Sequence, residues 1–184
     1  MIDDIIEISK RAGALIREGF GKSFQIEYKT NESNLVTEID KSSEKLITDF
    51  IKKEYPSHSI LAEEGSGVKN DSEYIWVVDP LDGTTNFAHG LPIFSVSIGV
   101  QKNNETIVGV VYDVIRDIVY SAQLGGGAFA DSDQIKVSST ESLKHSLLLQ
   151  GFPTMLLKIL REHSKYLRRL LNTLGGLEDW DQQL

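Results

Sequence analysis

The chain has 184 residues, of which 40% are hydrophobic and 25% are charged, within the range of one soluble globular domain that can bury a core. Its net charge of -8 argues against a nucleic-acid-binding protein, because phosphate backbones are bound by clustered Lys and Arg. The sequence contains no cysteine, which excludes disulfides and thiolate metal sites and is consistent with a reducing cytoplasm.

The first twenty residues predict an amphipathic helix rather than a targeting segment. Apolar side chains recur at helical spacing up to Ile16, and acidic residues such as Asp3 and Glu18 lie among them. This pattern predicts a helix over residues 2–18, which Gly19 ends. No apolar run is long enough to span a membrane, so we expect no membrane partner.

The next segments predict a second helix followed by strands. Residues 22–35 are polar and predict an irregular segment. Thr37 and Asp40 resemble a capping box, which predicts a helix from about Thr37 to the region of Pro56. The period then changes to that of strands in five short runs: Ser59–Ala62, Tyr74–Val78, Phe94–Gln101, Thr106–Val114 and Ile118–Ala122.

The order of these elements predicts the fold class. The pairs Asn103-Asn104 and Arg116-Asp117 lie between strands and predict hairpin turns. Leucines from Leu156 to Leu174 form a stripe that predicts a third helix. We therefore expect an α/β protein, a layered α+β fold with helices packed on a mostly antiparallel sheet.

The most informative segment is WVVDPLDGTTNFAHG, residues 76–90, in which an apolar strand runs into Asp79 and Asp82. Pro80 is expected to end the strand and turn the chain, so that both carboxylates point to one place. Two close carboxylates repel each other unless a cation lies between them, and Mg²⁺ is a usual partner of oxygen ligands. The alternative is that the two aspartates only cap a turn.

Other groups near this segment complete the predicted site. The carbonyl of Leu81, exposed at the predicted turn, offers a third oxygen ligand. Gly83 allows the backbone to approach a ligand closely, and Thr84 opens a short helix whose free N–H groups face an anion. Glu64 follows the strand that ends at Ala62 and offers a further carboxylate, although a solvated acidic turn is the alternative there.

Six segments of the sequence together are specific for one family. They are LVTEID at 35–40, AEEGS at 62–66, WVVDPLDGTTNFAHG at 76–90, FSVSIG at 94–99, GVVYD at 109–113 and GGGAF at 125–129. Through them, residues 1–152 resemble the inositol monophosphatase family of lithium-sensitive, magnesium-dependent phosphatases. The resemblance implies the family's sugar-phosphatase fold, with a small phosphate ester as substrate: inositol monophosphate or a related sugar phosphate, fructose bisphosphate included.

The resemblance also implies the metal ligands. Glu64, Asp79 and the Leu81 carbonyl are expected to hold one Mg²⁺, and Asp79 and Asp82 contribute to a second. A metal lowers the pKa of bound water, and a second metal stabilises the leaving oxygen.

The remaining implied roles concern the reaction. Gly83 and Thr84 match the family's phosphate-binding amides, and Asp82 is expected to lie against the substrate. Thr84 and Asp40 match the pair that orients a metal-bound water for attack on phosphorus, while Glu64 acts there as a metal ligand.

The sequence departs from the family after about residue 153. Family chains continue with a C-terminal domain, which we expect to be missing here, so that residues 153–184 form a leucine-rich helix and an atypical tail of a truncated chain. Strand edges left without partners then predict instability or a homo-oligomer.

Three functions remain open from the sequence. The first is an active Mg²⁺-dependent phosphatase. The second is a catalytically inactive remnant that binds a divalent cation or phosphate, or serves as an interaction module. The third, an acidic calcium-binding or structural domain, lacks the regularly spaced ligands of a helix-loop-helix calcium site.

Overall fold

The structure is a computed structural model that describes residues 1–22, 26–28, 35–142 and 145–146, with the backbone alone for 26–28 and 35–37. The chain divides into two compact units, residues 1–136 and 137–184. The helices and strands named below all lie in the first unit.

Three helices are described: α1 (Ile2–Gly19), α2 (Glu38–Glu54) and α3 (Thr84–Ala88). The two predicted helices are confirmed, and α2 begins one residue after the predicted Thr37. Helix α1 is amphipathic, because its buried apolar residues recur at helical spacing: Ile5, Ile8, Ala12 and Ile16. Thr84 opens a short helix, as predicted.

A seven-stranded sheet forms the body of the first unit. Its strands are β3 (Ser59–Ala62), β4 (Tyr74–Asp82), β5 (Ser95–Lys102), β6 (Glu105–Asp113), β7 (Ile118–Gln123), β8 (Gly127–Ala130) and β9 (Asp133–Ile135), adjacent in chain order. β3 and β4 run parallel, and each later pair runs antiparallel. The predicted mostly antiparallel sheet is confirmed, as a mixed sheet.

A separate antiparallel pair corrects the predicted irregular segment. β1 (Ile26–Tyr28) pairs with β2 (Leu35–Thr37), with Glu27 opposite Val36. Each strand has only three residues within a polar segment, too few to establish an alternating pattern, and the two strands satisfy backbone groups of one another through their pairing.

The predicted hairpin turns are confirmed. Asn103 and Asn104 both have positive φ, 51° and 65°, and form a two-residue loop between β5 and β6. Asp117, with φ 59°, lies in the loop between β6 and β7. Asn and Asp tolerate this left-handed conformation better than most side chains.

The core lies between one face of the sheet and the two long helices. Helix α1 packs on β5 and β6, and α2 packs on β4 and on α1. Every second residue of β5 is buried beneath them: Val96, Ile98 and Val100. The residues between these point to the other face of the sheet, which follows from the period of a strand. The candidate site, which includes Asp79 and Asp82, lies at the C-terminal end of β4, beside β5 in this sheet.

Strand β4 does not end at Pro80, contrary to the prediction, but continues to Asp82. Asp79 pairs with Ser97 and Asp82 pairs with Ser95, so that three steps along β4 lie opposite two steps along β5. This is a β-bulge, in which Pro80, lacking an N–H, is tolerated because the ladder is interrupted there. The turn that was predicted from Pro80 is a local distortion within the strand.

Several predictions concern residues outside those that the structure describes. They are the third helix at 156–174, the domain boundary at 152/153 and the tail that follows it. In the described part of the second unit, the Ser146 hydroxyl donates a hydrogen bond to the Ser142 carbonyl oxygen at 3.0 Å. Among the described helices, none combines the length and hydrophobicity that crossing a membrane requires.

Candidate active site

The bulge in β4 places the two aspartates on the same face of the sheet. In a regular strand, residues three apart point to opposite faces. Because of the extra residue, Asp79 and Asp82 lie opposite Ser97 and Ser95, which are two apart on β5 and share a face. The Ser95 hydroxyl donates a hydrogen bond to Oδ2 of Asp82 at 3.4 Å. The structure thus brings the two predicted carboxylates together.

Asp79 is a strongly perturbed acid of the site. Its Oδ1 atom is buried and has no hydrogen-bond partner among the described residues. Burial raises the pKa of Asp79 to about 7, together with the nearby charges of Glu63 and Asp82, while a hydrogen bond to the Leu81 backbone opposes the rise. A carboxylate in this state has lost water without gaining a compensating charge, and a bound cation would supply that charge.

The parallel pairing of β3 with β4 decides which glutamate approaches Asp79. Ala62 pairs with Val78, and the Glu63 N–H donates to the Val78 carbonyl oxygen at 3.3 Å, so the next pair in this register is Glu63 and Asp79. The Glu63 charge also contributes to the raised pKa of Asp79. The structure therefore places Glu63 beside Asp79.

Glu64 has a different described contact. Its backbone N–H donates to Oε2 of Glu44 on α2 at 2.5 Å. Residues 63 and 64 lie in the turn that follows β3, and Glu63 is the one of the two that adjoins the last paired residue of the strand. The role of Glu64 as a metal ligand stays a prediction.

The predicted pair of Thr84 and Asp40 is in contact. The Thr84 hydroxyl lies 2.9 Å from Oδ1 of Asp40 and 3.0 Å from the Leu81 carbonyl oxygen, and its single proton can be donated to either acceptor. Asp40 lies on α2 and is almost completely buried, with 1% of its surface exposed. The arrangement can hold the Thr84 oxygen in a fixed position, with its lone pairs directed away from Asp40.

Gly83 precedes α3 in a conformation that favours glycine. Its φ is 97°, and a Cβ atom at this position would lie 3.0 Å from the Ile93 carbonyl oxygen. The Leu81 carbonyl, predicted to be exposed, accepts from Thr84 and retains a second lone pair. A residue larger than glycine at position 83 would therefore be strained and crowded where the backbone enters α3, as the glycine in the sequence predicts.

Two depressions flank the aspartates. One of about 470 Å³ is lined by Glu63, Asp79 and Ser97 together with apolar residues of β3 and β4. Another of about 290 Å³ is lined by Asp82 and Gly83 among others. The bulge thus separates two concave surfaces, each with a carboxylate, and a small polar molecule fits within such volumes.

The chemistry of the donor groups fits a hard divalent cation, although the ligands do not converge. Among the described residues, no three His, Cys, Asp or Glu side chains form a group that could hold a metal ion. The fit rests on the buried, unpartnered Oδ1 of Asp79 and on its repulsion by two neighbouring carboxylates. Oxygen donors of this kind suit Mg²⁺.

Comparison with known proteins identifies the family. The model of the inositol monophosphatase family matches residues 1–170. The chain belongs to the inositol monophosphatase family. The match extends past residue 152, where the resemblance described in the sequence analysis ends.

Two curated relatives of this family illustrate the match. The chain is 44% identical over 152 residues to inositol monophosphatase 2 of Solanum lycopersicum, covering 80% of this chain and 57% of the relative. It is 42% identical over 155 residues to the fructose-1,6-bisphosphatase/inositol-1-monophosphatase of Aquifex aeolicus, covering 81% of this chain and 58% of the relative. The chain thus spans somewhat more than half the length of these relatives.

Solved structures of the family confirm the fold. The extragenic suppressor protein suhB of Bartonella henselae superimposes with a TM-score of 0.85 at 30% identity, covering 96% of this chain and 67% of that protein. An IMPase/NADP phosphatase, crystallised with Mg²⁺ and phosphate, gives a TM-score of 0.64 at 26% identity over 71% of this chain and 50% of that one. The predicted layered α/β fold of the family is therefore confirmed.

Some residues of this inositol monophosphatase family site were missed in the sequence analysis. One is Glu63, which lies within AEEGS and whose position follows from the register of β3. The others are Ser43 and Glu44, which belong to no motif and lie on the buried face of α2. The polar residues at 40, 43 and 44, spaced as neighbours on a helix, were the available signal for a buried polar face.

Proposed function

We propose that this member of the inositol monophosphatase family hydrolyses a small phosphate ester, inositol monophosphate or a related sugar phosphate, with the help of Mg²⁺. The observation that carries the proposal is the β4 bulge, which places Asp79 and Asp82 on one face beside the Thr84–Asp40 pair. The names of the tomato and Aquifex relatives support the substrate class. The name of the Aquifex relative makes fructose bisphosphate the second substrate to test.

The residues proposed to hold Mg²⁺ are Asp79, Asp82, the Leu81 carbonyl and a glutamate of the Glu63-Glu64 pair. Glu63 lies near enough to Asp79 to raise the pKa of that carboxyl, which favours Glu63 as that glutamate, whereas the resemblance implies Glu64. When bound, Mg²⁺ would neutralise phosphate charge and make a water molecule more acidic. The relative crystallised with Mg²⁺ and phosphate supports this choice of ion.

The chain's own contribution to the reaction is to position water and phosphate. Asp40 holds the Thr84 hydroxyl, so that the Thr84 oxygen accepts a hydrogen bond from the attacking water while its proton is directed to Asp40. The water oxygen bonds to phosphorus as the ester P–O bond breaks; one water proton passes through solvent to the departing sugar oxygen, and the other stays on the released phosphate. No covalent enzyme intermediate is needed, because positioning and charge neutralisation provide most of the catalysis.

Phosphate is proposed to lie against the backbone N–H groups of Gly83 and Thr84, with Asp82 directed to the substrate. The positive φ of Gly83 and the space that excludes a Cβ support a close approach of the backbone there. The reducing cytoplasm is the proposed location, which the absence of cysteine from the 184 residues supports.

Phosphate release tests the proposed function directly. The purified chain is given inositol monophosphate or fructose bisphosphate, with and without Mg²⁺, beside the variants Asp79→Asn and Asp71→Asn. Asp71 is an exposed acid in the segment before β4, so its variant controls for the loss of one charge. We expect Mg²⁺-dependent release that Asp79→Asn abolishes and Asp71→Asn leaves within about twofold.

The outcomes separate the functions that the sequence left open. Release that requires Mg²⁺ and Asp79 would establish a phosphatase. Binding of Mg²⁺ without release, in a chain shown to be folded by circular dichroism, would contradict the proposal and indicate an inactive ion-binding protein.

A further inference from the structure

Helix α2 presents a buried polar face to the candidate site. Asp40, Ser43 and Glu44 are spaced as neighbours on one side of the helix, and each is at most 1% exposed. Asp40 accepts from Thr84, and the Ser43 hydroxyl donates to the Pro80 carbonyl oxygen at 3.0 Å, within the β4 bulge. Each residue of this face therefore holds a different segment of the site.

Glu44 is the residue of this face that contacts the segment after β3. Its Oε2 accepts from the Glu64 N–H at 2.5 Å. Its Oε1 accepts from the Ser66 N–H at 2.8 Å and from the Ser66 hydroxyl at 2.5 Å. The segment of residues 63–66 follows β3 and carries Glu63. One carboxylate thus binds this segment at two residues, Glu64 and Ser66.

The chemistry of Glu44 explains why a carboxylate stands at this buried position. Three donors converge on two oxygens, and an ionised carboxylate is the side chain that accepts on both oxygens without presenting a donor. Burying such a group is costly unless its hydrogen bonds are satisfied, as they are here. An apolar residue at this position would leave these donors without an acceptor, whereas the carboxylate fixes the path of residues 63–66.

We propose that Glu44 is a positioning residue that holds residues 63–66 so that Glu63 stays beside Asp79. The ladder itself holds this end of β3 weakly, because the bond from the Glu63 N–H to Val78 is long at 3.3 Å. The inference rests on the proposed function, since the group that Glu63 and Asp79 would share is the divalent cation. Groups that orient ligands in this way change metal affinity by about 10–100-fold when they are replaced.

The test compares Glu44→Gln with Asp49→Asn in the full chain. Both substitutions remove one negative charge from α2 without changing side-chain size, and Asp49 is exposed and paired with Lys45 on the same helix. Binding of Mn²⁺, used as a probe for the Mg²⁺ site, is measured by electron paramagnetic resonance of the free ion. Hydrogen exchange of the Glu64 and Ser66 amides is measured on the metal-free protein by NMR.

In Glu44→Gln, an amide NH₂ replaces one acceptor and faces a backbone N–H. We expect the Mn²⁺ affinity of this variant to fall by about 10–100-fold and the Glu64 and Ser66 amides to exchange faster. In Asp49→Asn, the Mn²⁺ affinity and the exchange rates should stay within about twofold of those of the unaltered chain. The Mg²⁺ concentration for half-maximal phosphate release rises correspondingly, while kcat at saturating Mg²⁺ changes less. Unchanged Mn²⁺ affinity in Glu44→Gln would overturn the proposal.

Two further results keep the test decisive. If Glu44→Gln does not fold, Ser66→Ala removes one of the three hydrogen bonds and is expected to weaken Mn²⁺ binding by about 2–5-fold, and no weakening there would overturn the role of Glu44. If the unaltered chain binds no Mn²⁺, the proposed function is wrong. Amide protection then decides separately whether Glu44 fixes residues 63–66, and unchanged protection in the variant would show that it does not.

Discussion

At the scale of single residues, the contact between Thr84 and Asp40 carries the proposed proton chemistry. We expect Thr84→Val, which removes the hydroxyl and keeps the β-branched shape, to lower kcat by about 10²–10⁴-fold with little change in KM. The neighbouring Thr85 is exposed, so Thr85→Val is the matched control and is expected to retain activity. Steady-state kinetics of phosphate release measures both.

The two members of this pair are expected to act as one unit. Asp40→Asn alone should lose about as much kcat as Thr84→Val, and the double variant should lose little more than either single variant. Independent, additive losses would contradict the proposed coupling between the two residues.

His58 provides a second residue-scale prediction, far from the proposed chemistry. The Trp76 indole N–H donates to its Nδ1 at 3.0 Å, and its ring stacks on Tyr74 with centroids 4.6 Å apart. Burial lowers the pKa of His58 below its ordinary value of 6.5. The neutral ring is therefore the form that the folded protein prefers, because a protonated Nδ1 cannot accept from Trp76.

Because the folded-state pKa is depressed, the unfolded chain binds the proton more readily. The stability that neutral His58 contributes is present above pH 6.5 and is lost as the pH falls through its folded-state pKa. Urea unfolding is therefore followed in an Asp79→Asn background, which removes the opposing titration of Asp79, and should give a lower free energy of unfolding at pH 5.5 than at pH 7.5. His58→Asn keeps a neutral acceptor, so that difference should shrink; an identical pH dependence in the variant would contradict this assignment.

At the scale of elements, the approach of α1 to β6 depends on Gly13. A Cβ atom there would lie 2.3 Å from Cε1 of Tyr112, whose ring is buried and whose hydroxyl is bonded to Arg17. The ring cannot move aside without losing that bond. Packing of the helix on the sheet is thus limited by the size of one side chain.

We expect Gly13→Ala to lower the free energy of unfolding by about 1–2 kcal/mol, because overpacking outweighs the better helix propensity of Ala. Gly109 on β6 is the matched control, since a Cβ atom there would meet no atom of the described residues within 4 Å, and Gly109→Ala should be neutral or slightly stabilising. Urea denaturation measures both variants. Equal effects of the two substitutions would contradict the packing argument.

At the scale of the whole molecule, the acidic site couples stability to magnesium and pH. The pKa of Asp79 is raised from an ordinary 3.8 to about 7, so without metal its protonated form contributes stability at low pH, which is lost as the pH rises through 7. A cation binds the deprotonated form and must displace the proton below pH 7. Magnesium should therefore stabilise the chain more at pH 8 than at pH 6.

At 100 times its dissociation constant, a ligand adds about 2.7 kcal/mol of stability, which corresponds to a rise in Tm of about 5–10 °C for a chain of this size. Thermal unfolding followed by circular dichroism, with and without Mg²⁺ at pH 8 and pH 6, measures the effect. Asp79→Asn should show no rise at either pH. A rise of the same size in that variant would place the stabilising ion elsewhere.

The sequence determined the main elements and the family. The amphipathic period of residues 2–18, the strand runs from Ser59 onward and the Asn103-Asn104 turn were readable because they depend on local chemistry, namely side-chain period and tolerance of positive φ. The contact of Thr84 with Asp40 was predicted only through the family resemblance. The β1–β2 pair was not predicted, because strands of three residues are too short to show a period.

Tertiary structure alone decided which carboxylates meet. Whether Asp79 and Asp82 share a face depends on the bulge against β5, and whether Glu63 or Glu64 approaches Asp79 depends on the parallel register of β3 and β4. A shift of one residue reverses the face to which every side chain of a strand points, and local sequence does not specify that shift. The sequence motifs therefore predicted which chemical groups belong to the site. The relative positions of these groups depend on strand register and on the buried polar face of α2.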